Sequence, residues 1–364
     1  MAWTKPNVGP IAVDIGWRSI RVLQMRKGAS RGTDADMSLL DARSVELDPH
    51  DATNPDTLRR HLADLLSGGR FSGRDAVTAI PSAEIEIKNI RLPVMPEQEL
   101  EAAVAFEAGD RFAAEGKATM RFLCAGLIGG PEGNQQEIIV LGARQDAVDA
   151  RLDLLTRAGL RVVGMEPSFN ALFRPFERYL RRASDAEQSN AYVDIGGLGS
   201  RIIVTRGVEV AFVKTCPVGG AMLDERVAQR LSLDQASAAE LRRNCMRDTD
   251  VSDSERKEVH EAIRPALEQL GKEIGLCLRY CAVTFRGDRP DMVVCGGSEA
   301  GGDVVQRFLS EVTHMPVETA DAFRDIDCQN VFGSQGAERP WDWSVAVGLG
   351  LKRRRLAATE ASAA

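Results

Sequence analysis

The sequence predicts an α/β chain built from a duplicated domain whose two equivalent glycine turns face each other. Three observations lead there. IAVDIG at residues 11–16 recurs as AYVDIGGLGS at 191–200, and in each copy a buried apolar run ends at an aspartate, a glycine follows, and a second strand returns at once. The copies stand about half a chain apart, the mark of an internal repeat. At 364 residues and 39.6 kDa the chain can bury the cores of two or more domains or subdomains.

After IAVDIG, residues 19–25 read as a second strand and SLLDARSVEL at 38–47 as a third. Residues 55–67 form a helix with leucines on one side, and DAVTAIPSAE reads as a strand ending near Pro81. From Glu84 to about Gly142 the character changes to a small inserted α/β unit. It holds EIEIKNI as a strand, PEQELEAAVAFEAGDRF as a helix, and strands in KATMRFLCAGLI and QQEIIVLGA, with GGPEGNQ at 129–135 as a loop. A helix over 144–158, the strand RVVGM and a helix from Pro167 toward Leu180 follow. Pro167 suits a first helical turn, and Pro175 shortens or kinks that helix. The second copy continues into RIIVTRG and VEVAFVKTC as a hairpin, and GG at 219–220 precedes an amphipathic helix. Residues 231–289 are mainly helical around the polar connection NCMRDTDVSDSE, DMVVCGGSEAGGD returns to strand, glycine turn and helix, and WSVAVGLGLKRR closes with a short apolar helix.

Composition excludes several classes. With 44% hydrophobic and 27% charged residues and a net charge of -7, the chain is an ordinary globular protein and nucleic acid is a poor partner. The basic clusters near residues 181 and 353 read as solvated helix ends. No apolar run is long enough to span a membrane and the start lacks a signal-peptide pattern, so a cytoplasmic protein is expected. Seven scattered cysteines suit a reducing compartment, and His50, His61, His260 and His314 have no metal-site spacing.

Backbone amides at such glycine turns can hold phosphate. For Gly16, Gly196 and Gly197 the alternative is a turn that needs unusual backbone angles. Repetition, with Gly219-Gly220 and Gly296-Gly297 beside further apolar strands, favours phosphate. Asp14 and Asp194 suit hydrated Mg2+, although each could instead cap a turn or pair with an arginine.

DIG at 14–16, the Glu166-Pro167 helix entry, DIGGLGS at 194–200, GG at 219–220, CGG at 295–297 and AVGLGL at 346–351 together resemble the actin-like ATPase superfamily. Within it, NIRLPVMPEQELEAAVAFEAGDRF and RAGLRVVGMEPSFNALFRPF resemble the PilM family of type IV pilus assembly proteins, related to FtsA. The resemblance implies duplicated actin-like (ribonuclease H-like) domains around a nucleotide cleft, with an inserted small α/β subdomain. The first domain would take 10–83 and 143–188 with a return near 341–355, and the insert 84–142. The second would take 189–230 and 286–340, and a helical subdomain 231–285.

By the same resemblance ATP and Mg2+ are the cofactors. Asp14, Gly16, Ser19 and Arg21 match the first phosphate loop; Arg18, outside that match, could add a charge-assisted phosphate contact or remain in solvent. Asp194, Gly196, Gly197 and Ser200 match the second loop, followed by Gly219 and Gly220. Gly296, Gly297 and Ser298 match the adenosine turn, and Glu240 and Arg243 match the helix that approaches the nucleotide. Glu166 matches the residue that places the attacking water, and Asp14 and Asp194 would hold Mg2+ through water.

The partner implied is the short cytoplasmic N-terminal segment of a PilN-like inner-membrane protein. It would be bound at the insert, where Leu100, Val104, Phe106 and Phe112 form a groove or pack inward. The chain would thus be a cytoplasmic, ATP-responsive scaffold of a type IV pilus or type II secretion machine, recruited to the inner-membrane face. Trp17, followed by Arg18, stands where the family has a small or hydroxylated residue, Leu198 and Gly199 leave the second loop poorer in hydroxyls, and GGSEAGGD departs from the usual adenosine turn. These departures point to weak hydrolysis or lost nucleotide binding, hence to a partner-binding pseudo-ATPase as the alternative. A small-metabolite kinase is a third reading, against which the insert counts.

Overall fold

The computed structural model describes residues 8–27, 37–80, 82–112, 118–130, 133–177, 179–180, 183–247, 251–285 and 289–352. The first sheet begins with the antiparallel meander β1 (Val8–Ile15), β2 (Ser19–Lys27) and β3 (Met37–Glu46). In β1, Ile11, Ala12, Val13 and Ile15 are all buried, the continuous apolar run of a strand covered on both faces. Helices α1 (Pro49–Ala52) and α2 (Pro55–Gly68) follow. The Asn54 side chain caps α2 by accepting from the amides of Asp56 and Thr57, and Leu58 and Leu62 face inward. Strand β4 (Asp75–Ile80) then pairs parallel with β1.

The chain next leaves for a separate three-stranded antiparallel sheet of β5 (Ile85–Pro93), β6 (Ala118–Gly130) and β7 (Gly133–Arg144), in the order β5-β7-β6. Helix α3 (Glu97–Phe112) covers one face of it. Side chains alternate along β7: Ile138 and Val140 pack with Leu100, Val104 and Ala108 of α3, while Ile139 and Leu141 join the central core. Hairpin pairing runs as far as Gly130↔Gly133, so residues 129–130 and 133–135 of the expected loop are strand, and 131–132 lie outside the described residues.

Helix α4 (Gln145–Arg157) and strand β8 (Arg161–Pro167) complete the first sheet, whose order is β3-β2-β1-β4-β8. Pro167 ends β8, so α5 (Ser168–Glu177) starts one residue later than its proline suggests and stops two residues after Pro175.

The second sheet repeats the pattern. Strands β9 (Ser189–Ile195), β10 (Ser200–Arg206) and β11 (Glu209–Cys216) form the meander, and β12 (Val293–Gly296) and β13 (Val317–Thr319) add in parallel, in the order β11-β10-β9-β12-β13. Between β11 and β12 come α6 (Gly220–Leu231), α7 (Gln235–Met246) and the long α8 (Asp253–Phe285). Helix α9 (Asp303–Thr313) links β12 to β13, and α10 (Gln329–Phe332) and α11 (Ser344–Gly350) finish the described chain. The sequence reading missed β13 and α10, which are too short to show a period.

The layers run helix, sheet, helix, sheet, helix. Helices α2 and α4 pack on the outer face of the first sheet, α5 and α11 lie between the sheets, and α6, α8 and α9 cover the outer face of the second. A Cβ on Gly348 of α11 would fall 1.8 Å from the Ala171 carbonyl oxygen of α5, so the pair depends on that glycine. The inserted sheet also reaches the second lobe: buried Glu137 accepts from Arg91 Nε at 2.9 Å and from the Tyr280 hydroxyl on α8 at 2.7 Å.

Leu100 and Val104 are core residues, whereas Phe106 is 79% exposed, so the apolar residues of α3 split between two faces. The side chain of Phe112 and most of the basic clusters near 181 and 353 lie outside the described residues.

Gly348→Ala should cost about 3 kcal/mol or more in urea unfolding because of that carbonyl clash. Gly275→Ala in α8, where nothing stands within 4 Å of the new Cβ, should be neutral or stabilise by up to about 1 kcal/mol.

Candidate functional site

The two meanders present matching turns. Asp14 pairs in register with Arg21 and Ile15 with Ile20; Asp194 pairs with Arg201 and Ile195 with Ser200. The Gly16 amide donates to the Ser19 carbonyl at 2.9 Å and the Gly196 amide to the Gly199 carbonyl at 3.0 Å. The turns are thus equal in length and in their closing hydrogen bond. They border a cleft of about 760 Å³, lined by Asp14, Gly16, Trp17, Arg18, Ser19, Arg21, Asp194, Gly196, Gly197, Ser200, Gly297 and Ser298 among others. The inserted sheet adds Ile85, Ile87, Gly142 and Arg144 to the same walls.

Three glycines are there for space. A Cβ on Gly297, whose φ is +95°, would lie 2.3 Å from Asp194 Oδ1. One on Gly219 would lie 2.4 Å from the Gly199 amide nitrogen, and one on Gly220 2.3 Å from Glu299 Oε1. The first amides of α6 serve the second turn: Gly220 donates to the Gly196 carbonyl at 3.0 Å and Ala221 to that of Gly197 at 2.7 Å. The turn carbonyls therefore take the donors that a helix start offers to an anion. Ser200 Oγ donates to the Val218 carbonyl at 2.5 Å.

Arg18 extends from the first turn into the second lobe. Its guanidinium forks between Asp224 of α6 and Glu299, with Nε 3.2 Å from Glu299 Oε1. Arg242 of α7 closes the square, with Nε 2.6 Å from Asp224 Oδ1 and Nη2 2.8 Å from Glu299 Oε2. All four side chains are buried. Burial alone would raise the Glu299 carboxyl, but Arg242 and Arg18 hold it below its ordinary range. Beside Arg18, Trp17 fills the space over Gly197, where a Cβ would meet the indole Cδ1 at 2.7 Å.

The carboxylates proposed for Mg2+ are differently placed. Asp194 Oδ2 takes Arg201 Nη1 at 2.7 Å, and Arg201 also donates to Ser168 Oγ at 2.8 Å. Burial pushes the Asp194 carboxyl up, against Arg201 and Arg21. Burial likewise raises Asp14, with Arg21 opposing and Asp194 adding to the rise. On Asp194 the Arg201 guanidinium already occupies the place a cation would take. Ser19 Oγ is buried without a hydrogen-bond partner and would suit a phosphate. Trp17 over Gly197 and Arg201 on Asp194 would not. The residues as they stand do not fit a magnesium–phosphate group clamped between the turns. Among the described residues no three His, Cys, Asp or Glu side chains gather as a metal site.

The remaining expected residues divide. Arg21 lines the cleft but is held by Asp342 at 2.9 Å, beside Trp343. Glu166 does not reach the cleft lining; Arg174 at 2.7 Å and Lys352 at 3.0 Å take its carboxylate. Glu240 is exposed on α7, and Arg243 lines a small adjoining pocket with Met246 and Trp341. The sequence reading missed Arg242, Asp224, Glu299, Asp342 and Arg201. Arg242 had a signal, since it shares the buried stripe Ala238, Ala239, Cys245 at helical spacing. Arg201 had another, at the same distance after Asp194 as Arg21 after Asp14.

Because the folded pKa of Asp14 is raised, the stability tied to this group is present at low pH and is lost as pH rises from the ordinary carboxylate value through the folded one. Asp14→Asn should therefore be more stable than wild type in urea at pH 7, with the gain shrinking toward pH 4. Equal or lower stability at pH 7 would contradict this reading of Asp14.

The family description "Type IV pilus assembly protein PilM" matches residues 12–354. No curated protein matches the chain. Among solved structures, the chain is similar to a PilM-PilN type IV pilus biogenesis complex (22% identity, 95% of this chain and 98% of that one, TM-score 0.77). It is also similar to the ethanolamine utilization protein EutJ from Carboxydothermus hydrogenoformans (13%, 96% and 90%, TM-score 0.55). A third similar structure is MreB5 of Spiroplasma citri bound to AMPPNP (11%, 95% and 95%, TM-score 0.50). These likenesses establish an actin-like α/β fold. With the family match covering nearly all of its length, the chain belongs to the PilM family of type IV pilus assembly proteins.

Proposed function

We propose that the chain is an actin-fold scaffold for assembly of a type IV pilus or related type II secretion machine. It binds a short cytoplasmic segment of a PilN-like inner-membrane protein and does not hydrolyse ATP. The observation that carries the reading is the inserted sheet, which contributes Ile85, Ile87, Gly142 and Arg144 to the cleft wall and ties itself to α8 through Glu137, Arg91 and Tyr280. A segment held at the junction of insert and first sheet would thereby touch both lobes. Family membership and the likeness to a PilM-PilN complex support this choice of partner.

The matching order of the two five-stranded sheets supports a duplicated domain, with residues 84–142 as the insert and 231–285 as a helical subdomain of the second half. No helix among the described residues is long and apolar enough to cross a membrane. In this proposal a cytoplasmic chain is recruited to the inner-membrane face by its partner.

The ATP-responsive reading rests on the fold, on the AMPPNP bound to the MreB5 relative, and on Ser19 and Ser298 in the cleft. Trp17 against Gly197 and the Asp194–Arg201 pair favour the reading without hydrolysis. Calorimetric titration separates the two. The PilN-like segment should bind saturably whether or not Mg-ATP is present, and no phosphate should be released. Saturable Mg-ATP binding with a conformational response, weakened in both Asp14→Ala and Asp194→Ala, would restore the ATP-responsive reading. Absence of segment binding would remove the scaffold assignment, and ATP-dependent phosphorylation of a small metabolite would replace it with a kinase.

A further inference from the structure

We propose that Arg18, Asp224, Arg242 and Glu299 form an intramolecular latch that holds the two lobes closed without nucleotide, with the Arg18 guanidinium doing the bridging that a bound phosphate chain would otherwise do. The latch begins where the cleft fails to fit a magnesium–phosphate group. Arg18 belongs to the β1–β2 turn of the first lobe, whereas Asp224, Arg242 and Glu299 belong to three separate segments of the second: α6, α7 and the chain after β12. A single side chain therefore ties the first turn to three elements across the cleft.

The charges balance, two guanidiniums against two carboxylates, and each carboxylate receives both arginines. Such a set tolerates burial only while complete, because removing one member leaves an uncompensated charge away from water. Separating the lobes would withdraw Arg18 and leave Arg242 alone with two acids, so the closed state is the one in which every charge is matched. The guanidinium meets the two acids from two nitrogens held in one plane, Nε toward Glu299 and Nη2 toward Asp224. Local packing serves the same closure: Trp17 lies on Gly197, and Gly220 leaves room for Glu299 and for Arg18 Nη2, which would be 3.0 Å from a Cβ there. A second contact crosses at the cleft mouth, where Glu46 at the end of β3 meets Arg247, just past α7, and Arg339.

The inference does not depend on the identity of the partner, and its test uses none. Small-angle scattering of the wild-type chain without nucleotide should match the closed arrangement, and adding Mg-ATP should leave the curve unchanged. A curve of separated lobes, or one that contracts on adding Mg-ATP, overturns the latch. The double variant Arg18→Gln/Glu299→Gln removes one charge of each sign and leaves Arg242 paired with Asp224. Its amides at 16–19 and 196–199 should exchange hydrogen about tenfold faster or more, while those of the α8 core stay at the wild-type rate. Should that variant fail to fold, Arg18→Lys carries the test: its ammonium keeps the charge but replaces the separate Nε and Nη2 contacts with a single donor nitrogen, so exchange in the two turns should still rise. Wild-type exchange rates at both turns in a folded variant would overturn the proposal.

Discussion

Four charged side chains sealed from water between two lobes set the terms for the rest of this molecule. A lone buried guanidinium or carboxylate would be prohibitively costly, and the set survives because the two guanidiniums of Arg18 and Arg242 balance the two carboxylates of Asp224 and Glu299 at ion-pair distance. That requirement fixes where α6 and α7 lie, how near Gly220 approaches Glu299, and which way the first turn points. Trp17 follows from Arg18: with the guanidinium drawn across the cleft, the neighbouring indole covers Gly197 and the two turns meet directly.

The two hairpins show how one local design is put to different uses. Each pairs an aspartate with an arginine across adjacent strands around a turn of the same length. In the second, Arg201 turns back onto Asp194; in the first, Arg21 goes instead to Asp342 at the start of the final helical segment. Asp14 is left half-buried with its carboxyl raised by desolvation. A cleft that could receive phosphate is thereby neutralised largely by its own side chains, and the wall contributed by the inserted sheet becomes its distinctive surface.

Most of the architecture was legible in the sequence because it rests on local pattern: the repeated DIG turns, the one-sided leucines of α2 and the strand runs of the insert all show in short windows. The steric glycines at 219, 220 and 297 were visible as glycines, although the atoms they make room for, in Gly199, Glu299 and Asp194, come from distant segments. The charge cluster was hidden for the same reason, since Arg18 and Glu299 are 281 positions apart. Arg242 is legible by helical phase, since it shares the buried stripe of Ala238 and Cys245, whereas its partners Asp224 and Glu299 are not. Glu166 could not have been placed by local reasoning, because its partners Arg174 and Lys352 arrive from α5 and from the end of α11. Phe106 differs again: it looks like core by type, yet the stripe Leu100, Val104, Ala108 already fills the buried face of α3.

Protein side chains, rather than a bound nucleotide, are proposed to hold the lobes together, and a crystal structure of the chain grown without nucleotide is the sharpest test. It should show the Arg18 guanidinium between Asp224 and Glu299 with Trp17 against Gly197. An open cleft with Arg18 extended into solvent and Arg242 alone between the two carboxylates would contradict it.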